Sequence, residues 1–189
     1  MRFSLKRIVA AVVGVTFLGT GALFASPAPL SSGSTAYASA RASTVLAEIR
    51  KEMPGLTSNA DTLGTFVSSP SYSWRTHATY LEGVKGHINR VGELIAELQQ
   101  IRPQALPWQQ QAITEVTSHA AQVAASTQAA LVYLNENRGR LFLPEYRDHV
   151  KTIADSSGNL KETVGKFLDY EKTQQKLQRL QNELELTVD

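Results

Sequence analysis

Three long segments of this chain repeat their apolar residues in alternate steps of three and four. In the first segment the repeating positions are Trp74, His77, Leu81, Val84, Ile88, Val91, Ile95 and Leu98. Steps of this kind place every member on one face of an α-helix, and that face has to pack against other helices. Pro107 and Pro144 begin the other two segments, and proline is well tolerated in the first turn of a helix. The pattern predicts long helices over 73–101, 107–137 and 144–186.

Two weaker apolar patterns precede the long segments. Residues 43–53 predict a short helix that Pro54 and Gly55 would stop, and residues 56–67 predict a second one. We expect this pair to pack across the long helices as a partial fourth. No segment alternates apolar and polar residues as a half-buried strand does. The predicted fold is therefore all-α, an antiparallel bundle of three long helices plus a short N-terminal helical pair (four-helix-like), after an N-terminal signal sequence.

The third long segment has one weak point, the Asp-Ser-Ser-Gly-Asn sequence at 155–159, which consists of poor helix formers. Asn159 followed by Glu162 is also the pattern of a capping box, which would start a separate helix. The seven-residue step from Ile153 to Leu160 nonetheless keeps the apolar face in phase. We favour one continuous helix, with a break near Gly158 as the alternative.

The first 40 residues have the pattern of a secretory signal peptide. Three basic residues precede an uncharged run over 8–25, and a stretch rich in Ser, Ala, Pro and Gly follows it. A basic start, an apolar core and a small-residue cleavage site are the defining features of such peptides. The residues Ala38-Ser39-Ala40 predict cleavage after Ala40, with a cut after Ala38 as the alternative.

An uncleaved membrane anchor is the rival interpretation of residues 1–40, because the uncharged run approaches the length of a membrane span. In that case the remaining residues before position 41 would act as a tether, and the membrane would be a partner. Residues 41–189 are predicted as a single helical-bundle domain under both interpretations. Both also place that domain outside the cytoplasm, in the periplasm or secreted.

The exported part of the chain would be close to electrically neutral. The full chain has 19 basic and 17 acidic residues, and three of the basic residues but none of the acidic ones lie in the first 40. Residues 41–189 therefore carry 16 basic and 17 acidic side chains, a net charge of −1. No cluster of basic residues suits phosphate binding, so nucleic acid is not a predicted partner. The absence of cysteine excludes disulfides, thiolate metal sites and a thiol nucleophile.

Histidine and glutamate residues are the main candidates for a metal site. His77 lies on the first apolar face, Glu115 precedes His119 by four residues, and Glu145 precedes His149 by four. Carboxylate and imidazole groups on facing helices hold metals in some bundles, which use the spacing Glu-x-x-His. This chain lacks that spacing. We therefore interpret the pairs as contacts on the helix surface and expect no metal or other cofactor.

No nucleophile elbow or glycine-rich phosphate loop occurs in the sequence. We therefore predict an exported, non-enzymatic helical-bundle protein with a binding or structural role and a macromolecular partner of unknown identity. The alternative is a His/Glu bundle that binds a metal or cofactor.

The C-terminal residues carry a narrow leucine stripe, with Leu177, Leu180, Leu184 and Leu186 among Gln, Lys, Arg and Glu. A stripe of this kind is typical of a two-stranded coiled-coil seam. It would either pack onto the N-terminal helical pair of the same chain, giving a monomer, or join two copies in a weak dimer through residues 171–189. We favour packing within one chain, because the leucines span too few heptads for an independent coiled coil.

Overall fold

The structure, a computed structural model, describes residues 32–68 and 73–186. Its elements are α1 (Ser32–Phe66), α2 (Trp74–Ile101), a 3-10 turn (Arg102–Gln104), α3 (Pro107–Glu136) and α4 (Pro144–Leu186). No strand occurs in these two ranges. The all-helical fold and the three long helices are confirmed. Residues 1–31, which hold most of the predicted signal sequence, lie outside the described part of the chain.

A single helix, α1, replaces the short N-terminal pair that the sequence predicted. It is 35 residues long and contains Pro54 in its interior. The apolar residues on the two sides of Pro54 form one continuous buried face: Val45, Leu46, Ile49, Met53, Leu56, Ala60 and Leu63. Burial of several large side chains at about 1.5–3 kcal/mol each outweighs the roughly 3 kcal/mol that an interior proline costs. The prediction of two helices was wrong because it gave Pro54 and Gly55 more weight than this packing.

Each helix packs along two others. α1 lies against α2 and α4, α3 lies against the same two helices, and α1 meets α3 only slightly. Helices that follow one another in the chain run in opposite directions, as contacts between the start of one helix and the end of the next show. Arg41 of α1 pairs with Glu97 of α2. At the two ends of the α3–α4 pair, Trp108 stacks on Phe167 and Tyr133 stacks on Tyr146.

α4 is continuous through residues 155–159, so the alternative of a break near Gly158 is wrong. Ser156 and Ser157 are both buried. The Ser156 Oγ lies 3.3 Å from Oε1 of Gln122 on α3. Two small side chains therefore let α4 pack closely at the point where its helix propensity is lowest. None of the helices in 32–68 and 73–186 combines the length and the apolar character that crossing a membrane requires.

Gln109, in the first turn of α3, connects that turn to α1. Its side chain is fully buried. The Oε1 atom accepts a 3.1 Å hydrogen bond from the N–H of Leu106, which caps the helix. The Nε2 atom donates to the Ser39 carbonyl oxygen at 2.9 Å and to the Ser43 Oγ at 3.1 Å. The part of α1 around Ser39 and Ser43 therefore belongs to the packed part of the fold.

Candidate functional site

The five residues predicted as low-ranking metal ligands are not gathered into one site. His77 is buried on α2, Glu115 and His119 are half-buried on α3, and at the start of α4 Glu145 is exposed and His149 half-buried. Within 32–68 and 73–186, no group of three His, Cys, Asp or Glu side chains is placed to hold a metal ion. The geometry of these residues therefore gives no support to a metal-binding function.

His77 forms a buried hydrogen bond with Tyr146 of α4. Its Nδ1 atom lies 3.1 Å from the hydroxyl oxygen of Tyr146, and both side chains are almost completely inaccessible to solvent. Burial lowers the pKa of His77 and raises the pKa of the Tyr146 hydroxyl. Both groups are therefore neutral near pH 7, which suits a structural hydrogen bond better than acid–base chemistry.

Aromatic rings from all four helices pack around this hydrogen bond. The Phe66 ring of α1 meets His77 edge-on at 6.1 Å between centroids, and the Tyr133 ring of α3 stacks on Tyr146 at 5.6 Å. Tyr80 adds an edge contact to Phe66 at 5.1 Å. This cluster closes one end of the helical core. The sequence indicates this cluster only through His77 and Tyr146, which lie on the apolar faces of two predicted helices, near the start of each.

His87 forms a further polar contact between helices, and the sequence analysis did not identify its partner. The His87 Nδ1 lies 2.8 Å from Oε2 of Glu52 on α1. The other side of the ring lies directly against Gly55, where an added Cβ would be 2.3 Å from Nε2. Glu52 escaped notice because it falls just before Pro54, in a segment predicted to end a short helix. The ring is fixed between a carboxylate and the backbone of α1, with no space for a ligand between Nε2 and that helix.

A matching contact lies one turn away along the same pair of helices. A Cβ added at Gly83 of α2 would lie 2.9 Å from the side chain of Asn59 on α1. The Asn59 Nδ2 is oriented by a 2.9 Å hydrogen bond to the Gly55 carbonyl oxygen. Each helix therefore supplies one glycine and, four residues later, one polar side chain that lies over the glycine of the other helix. These two contacts fix how α1 and α2 align.

Two further polar atoms, the Nδ1 of His119 and the Oγ of Ser157, are buried without a hydrogen-bond partner among the described residues. They belong to α3 and α4, and His119 is only half-buried as a residue. Since no group of ligating side chains accompanies either atom, they do not define a binding site.

A shallow groove of about 460 Å³ lies where α1 ends and α4 begins. The charged side chains on its walls are Arg147, Asp148 and Lys151, which are all exposed. No buried polar side chain is found among the described residues that line it. The groove therefore lacks the convergent polar groups of a small-molecule site.

The C-terminal part of α4 has the most unusual surface in the fold. Every residue from Lys172 to Leu184 is exposed, and we call residues 172–184 the α4 extension. Three leucines of the extension are among the exposed large apolar side chains: Leu177 is 51% exposed to solvent, Leu180 46% and Leu184 67%. The ring of Trp108, at the start of α3, contacts Phe167 and Tyr170 just before the extension. The extension therefore begins where α3 stops covering α4.

The leucines of the α4 extension point away from the helical core. Leu177, Leu180 and Leu184 follow the buried Val164 by 13, 16 and 20 residues. At about 100° per residue these steps rotate them about 220°, 160° and 200° from Val164. The positions in phase with the core are polar, at Glu171, Gln175 and Gln178. The predicted packing of the stripe within the same chain is therefore wrong for these leucines, because the apolar face changes sides of the helix after Tyr170.

Comparison of the chain with models of protein families, with curated proteins and with solved structures found no match.

Proposed function

We propose that this chain is an exported, non-enzymatic protein whose helices form one antiparallel four-helix bundle and whose α4 extension binds another protein. The observation that carries the proposal is the exposure of Leu177, Leu180 and Leu184 on one face of that extension. Apolar residues in steps of three and four, flanked by polar ones, make a surface suited to pairing with another helix. Burying one leucine stabilises a complex by about 1.5–3 kcal/mol before the costs of association.

The environments of the other polar groups support a non-enzymatic role. His77 bonds to Tyr146, and His87 is held between Glu52 and Gly55. These contacts join helices, and the polar atoms of both histidines take part in packing between helices. A stable bundle that presents one projecting helix is suited to binding, because the helix needs little reorganisation to meet a partner.

Export is supported by the N-terminal sequence, with its basic start and its uncharged run over 8–25. We propose an extracytoplasmic location on this basis, and we expect the partner to be encountered there.

Photo-crosslinking in the cells that produce the protein tests the binding role. A benzophenone amino acid replaces Leu180 in one variant and Asn159 in the control. Asn159 is exposed on the same face of α4 but precedes the extension. We expect a crosslinked protein product from position 180, little from position 159, and loss of the product when Leu177→Ser is added. No product from position 180, or equal products from both positions, would contradict the proposal.

A further inference from the structure

We infer that the α4 extension binds the extension of a second copy of this chain, with the two helices antiparallel. The inference rests on the proposed function, since it names the partner of the same surface. It is carried by three features of the extension: the orientation of its leucines, the charges beside them, and the position of the extension relative to the rest of the fold.

The leucines fit a short antiparallel seam. Thr173, Leu177, Leu180 and Leu184 follow one another in steps of four, three and four, which are alternating d and a positions of a heptad. In an antiparallel pair, an a residue lies beside a d residue of the other helix. Leu177 then contacts Leu180 of the second copy, and Leu180 contacts its Leu177. Leu184 and Thr173 form the outer layers of the same seam.

The charges beside the stripe complement themselves only in this orientation. Lys176 and Glu183 both precede an a position and so lie on the same flank of the stripe, at the positions called g. Antiparallel pairing brings the g positions of the two helices together. Lys176 then faces Glu183 of the second copy, and the symmetry of the dimer forms this pair twice. The other flank carries Gln174 and Gln181, which are uncharged.

Parallel pairing of two copies lacks these advantages. It would place Lys176 beside Gln181 of the second copy, with no opposite charge. It would also set the two bundles side by side. The seam, continued back along α4, would then place the exposed Lys166 opposite Lys166 of the second copy. An antiparallel pair sends the two bundles to opposite ends, so only the extensions have to meet.

Sedimentation velocity on the full-length protein, in the form that cells accumulate, tests the inference through charge reversal. We expect a concentration-dependent dimer. Lys176→Glu places Glu opposite Glu at both pairs and should raise the dimer Kd about tenfold, as should Glu183→Lys. Combining the two changes restores opposite charges and should return the Kd to within about twofold of the original. Arg179→Glu makes the same charge change on the opposite side of the helix and is the matched control.

Each other outcome overturns the inference in a distinguishable way. A dimer that the double variant fails to restore is not antiparallel through these residues. A monomer at all concentrations, together with a crosslink from position 180 to a different protein, removes the second copy but keeps the proposed function. A monomer whose position 180 crosslinks to the apolar segment 8–25 of its own chain makes that segment the occupant. A monomer without any crosslink from that position removes both proposals.

Discussion

Gly55 lies directly beneath the imidazole ring of His87, and this contact gives a prediction at the scale of single residues. In Gly55→Ala the new Cβ would lie 2.3 Å from the ring nitrogen Nε2. The ring then has to move and give up its 2.8 Å contact with Glu52. The control is Gly64→Ala on the same helix, where a Cβ meets nothing within 4 Å. We expect Gly55→Ala to be less stable than the control by about 1–2 kcal/mol in urea unfolding.

Adding His87→Ala to both glycine variants completes this experiment. Without the imidazole, the Cβ at position 55 has no ring to displace, so the difference between the two variants should fall below about 0.5 kcal/mol. Equal stability of Gly55→Ala and Gly64→Ala in the presence of His87 would show that the ring moves without cost.

The buried His77 gives a second prediction at this scale, which concerns pH. Burial lowers its pKa below 6.5, so the folded state keeps the ring neutral while the unfolded chain takes up a proton as the pH falls through 6.5. The contribution of this group to stability is therefore complete above about pH 6.5 and is lost below it, toward its pKa in the folded state, by up to about 1.4 kcal/mol per pH unit. Above pH 6.5 it is constant.

Urea unfolding at pH 7.5 and pH 5.5 measures this effect. We expect the free energy of unfolding of the original protein to fall more on acidification than that of His77→Phe, because the variant has no imidazole at this position to protonate. Identical pH dependence in His77→Phe and the original protein would remove His77 as the cause.

At the scale of the helices, α1 gives a prediction about the N-terminus of the exported chain. Ala38 is fully buried, and the carbonyl oxygen of Ser39 accepts a hydrogen bond from the buried Gln109. Cleavage after Ala40, as the sequence pattern predicts, would remove both contacts. We therefore expect the mature chain to begin at or before Ala38, which intact-mass measurement of the accumulated protein determines. A mature N-terminus at Arg41 would contradict this expectation.

Gln109→Ala checks the same contact independently of processing. If Ser39 is present, the variant loses the side-chain hydrogen bonds to α1 and to Leu106. We expect its free energy of unfolding to be about 1–3 kcal/mol lower than that of the original protein. A loss below about 0.5 kcal/mol would show that this contact does not hold the start of α1 in place.

The helices also show which parts of the fold the sequence could reveal. The apolar steps of α2, α3 and α4 are regular over many turns, so their bounds were predicted to within one residue of those observed. α1 was divided in two because the local effect of Pro54 is visible in the sequence, whereas the buried face that offsets it depends on α2 and α4. The contact of Glu52 with His87 joins residues 35 positions apart. No local pattern indicates such a pair until α1 and α2 are known to lie side by side.

For the molecule as a whole, the α4 extension was detected in the sequence but assigned to the wrong partner. Its leucines repeat in the same steps as the core residues of α4, and those steps do not reveal the change of face after Tyr170 unless the rotation is followed from Val164. The error therefore concerned which side of α4 the stripe occupies. The exposed fractions of Leu177 and Leu180 settle that point for the chain taken alone.

Removing the extension should leave the rest of the molecule folded, which is a prediction at this largest scale. A chain that ends at Tyr170 keeps the contacts of Trp108 with Phe167 and Tyr170. Among the side chains that it loses, those described at 172–184 are all exposed. We expect its Tm, measured at a concentration where both proteins are monomeric, to lie within about 2 °C of the original, since exposed residues contribute little to stability. A fall of more than about 5 °C would indicate that residues 171–189 stabilise the bundle of their own chain.

The paired glycine contacts between α1 and α2 also determine how this half of the molecule transmits force. Sliding α1 along α2 by one helical turn would carry the ring of His87 from Gly55 to the level of Lys51 or Asn59, where a side chain fills the space that the ring needs. Axial shear between these two helices is therefore blocked in both directions. A force along the axis of either helix therefore moves α1 and α2 together. Sliding between helices under such a force has to occur where this pair contacts α3 and α4.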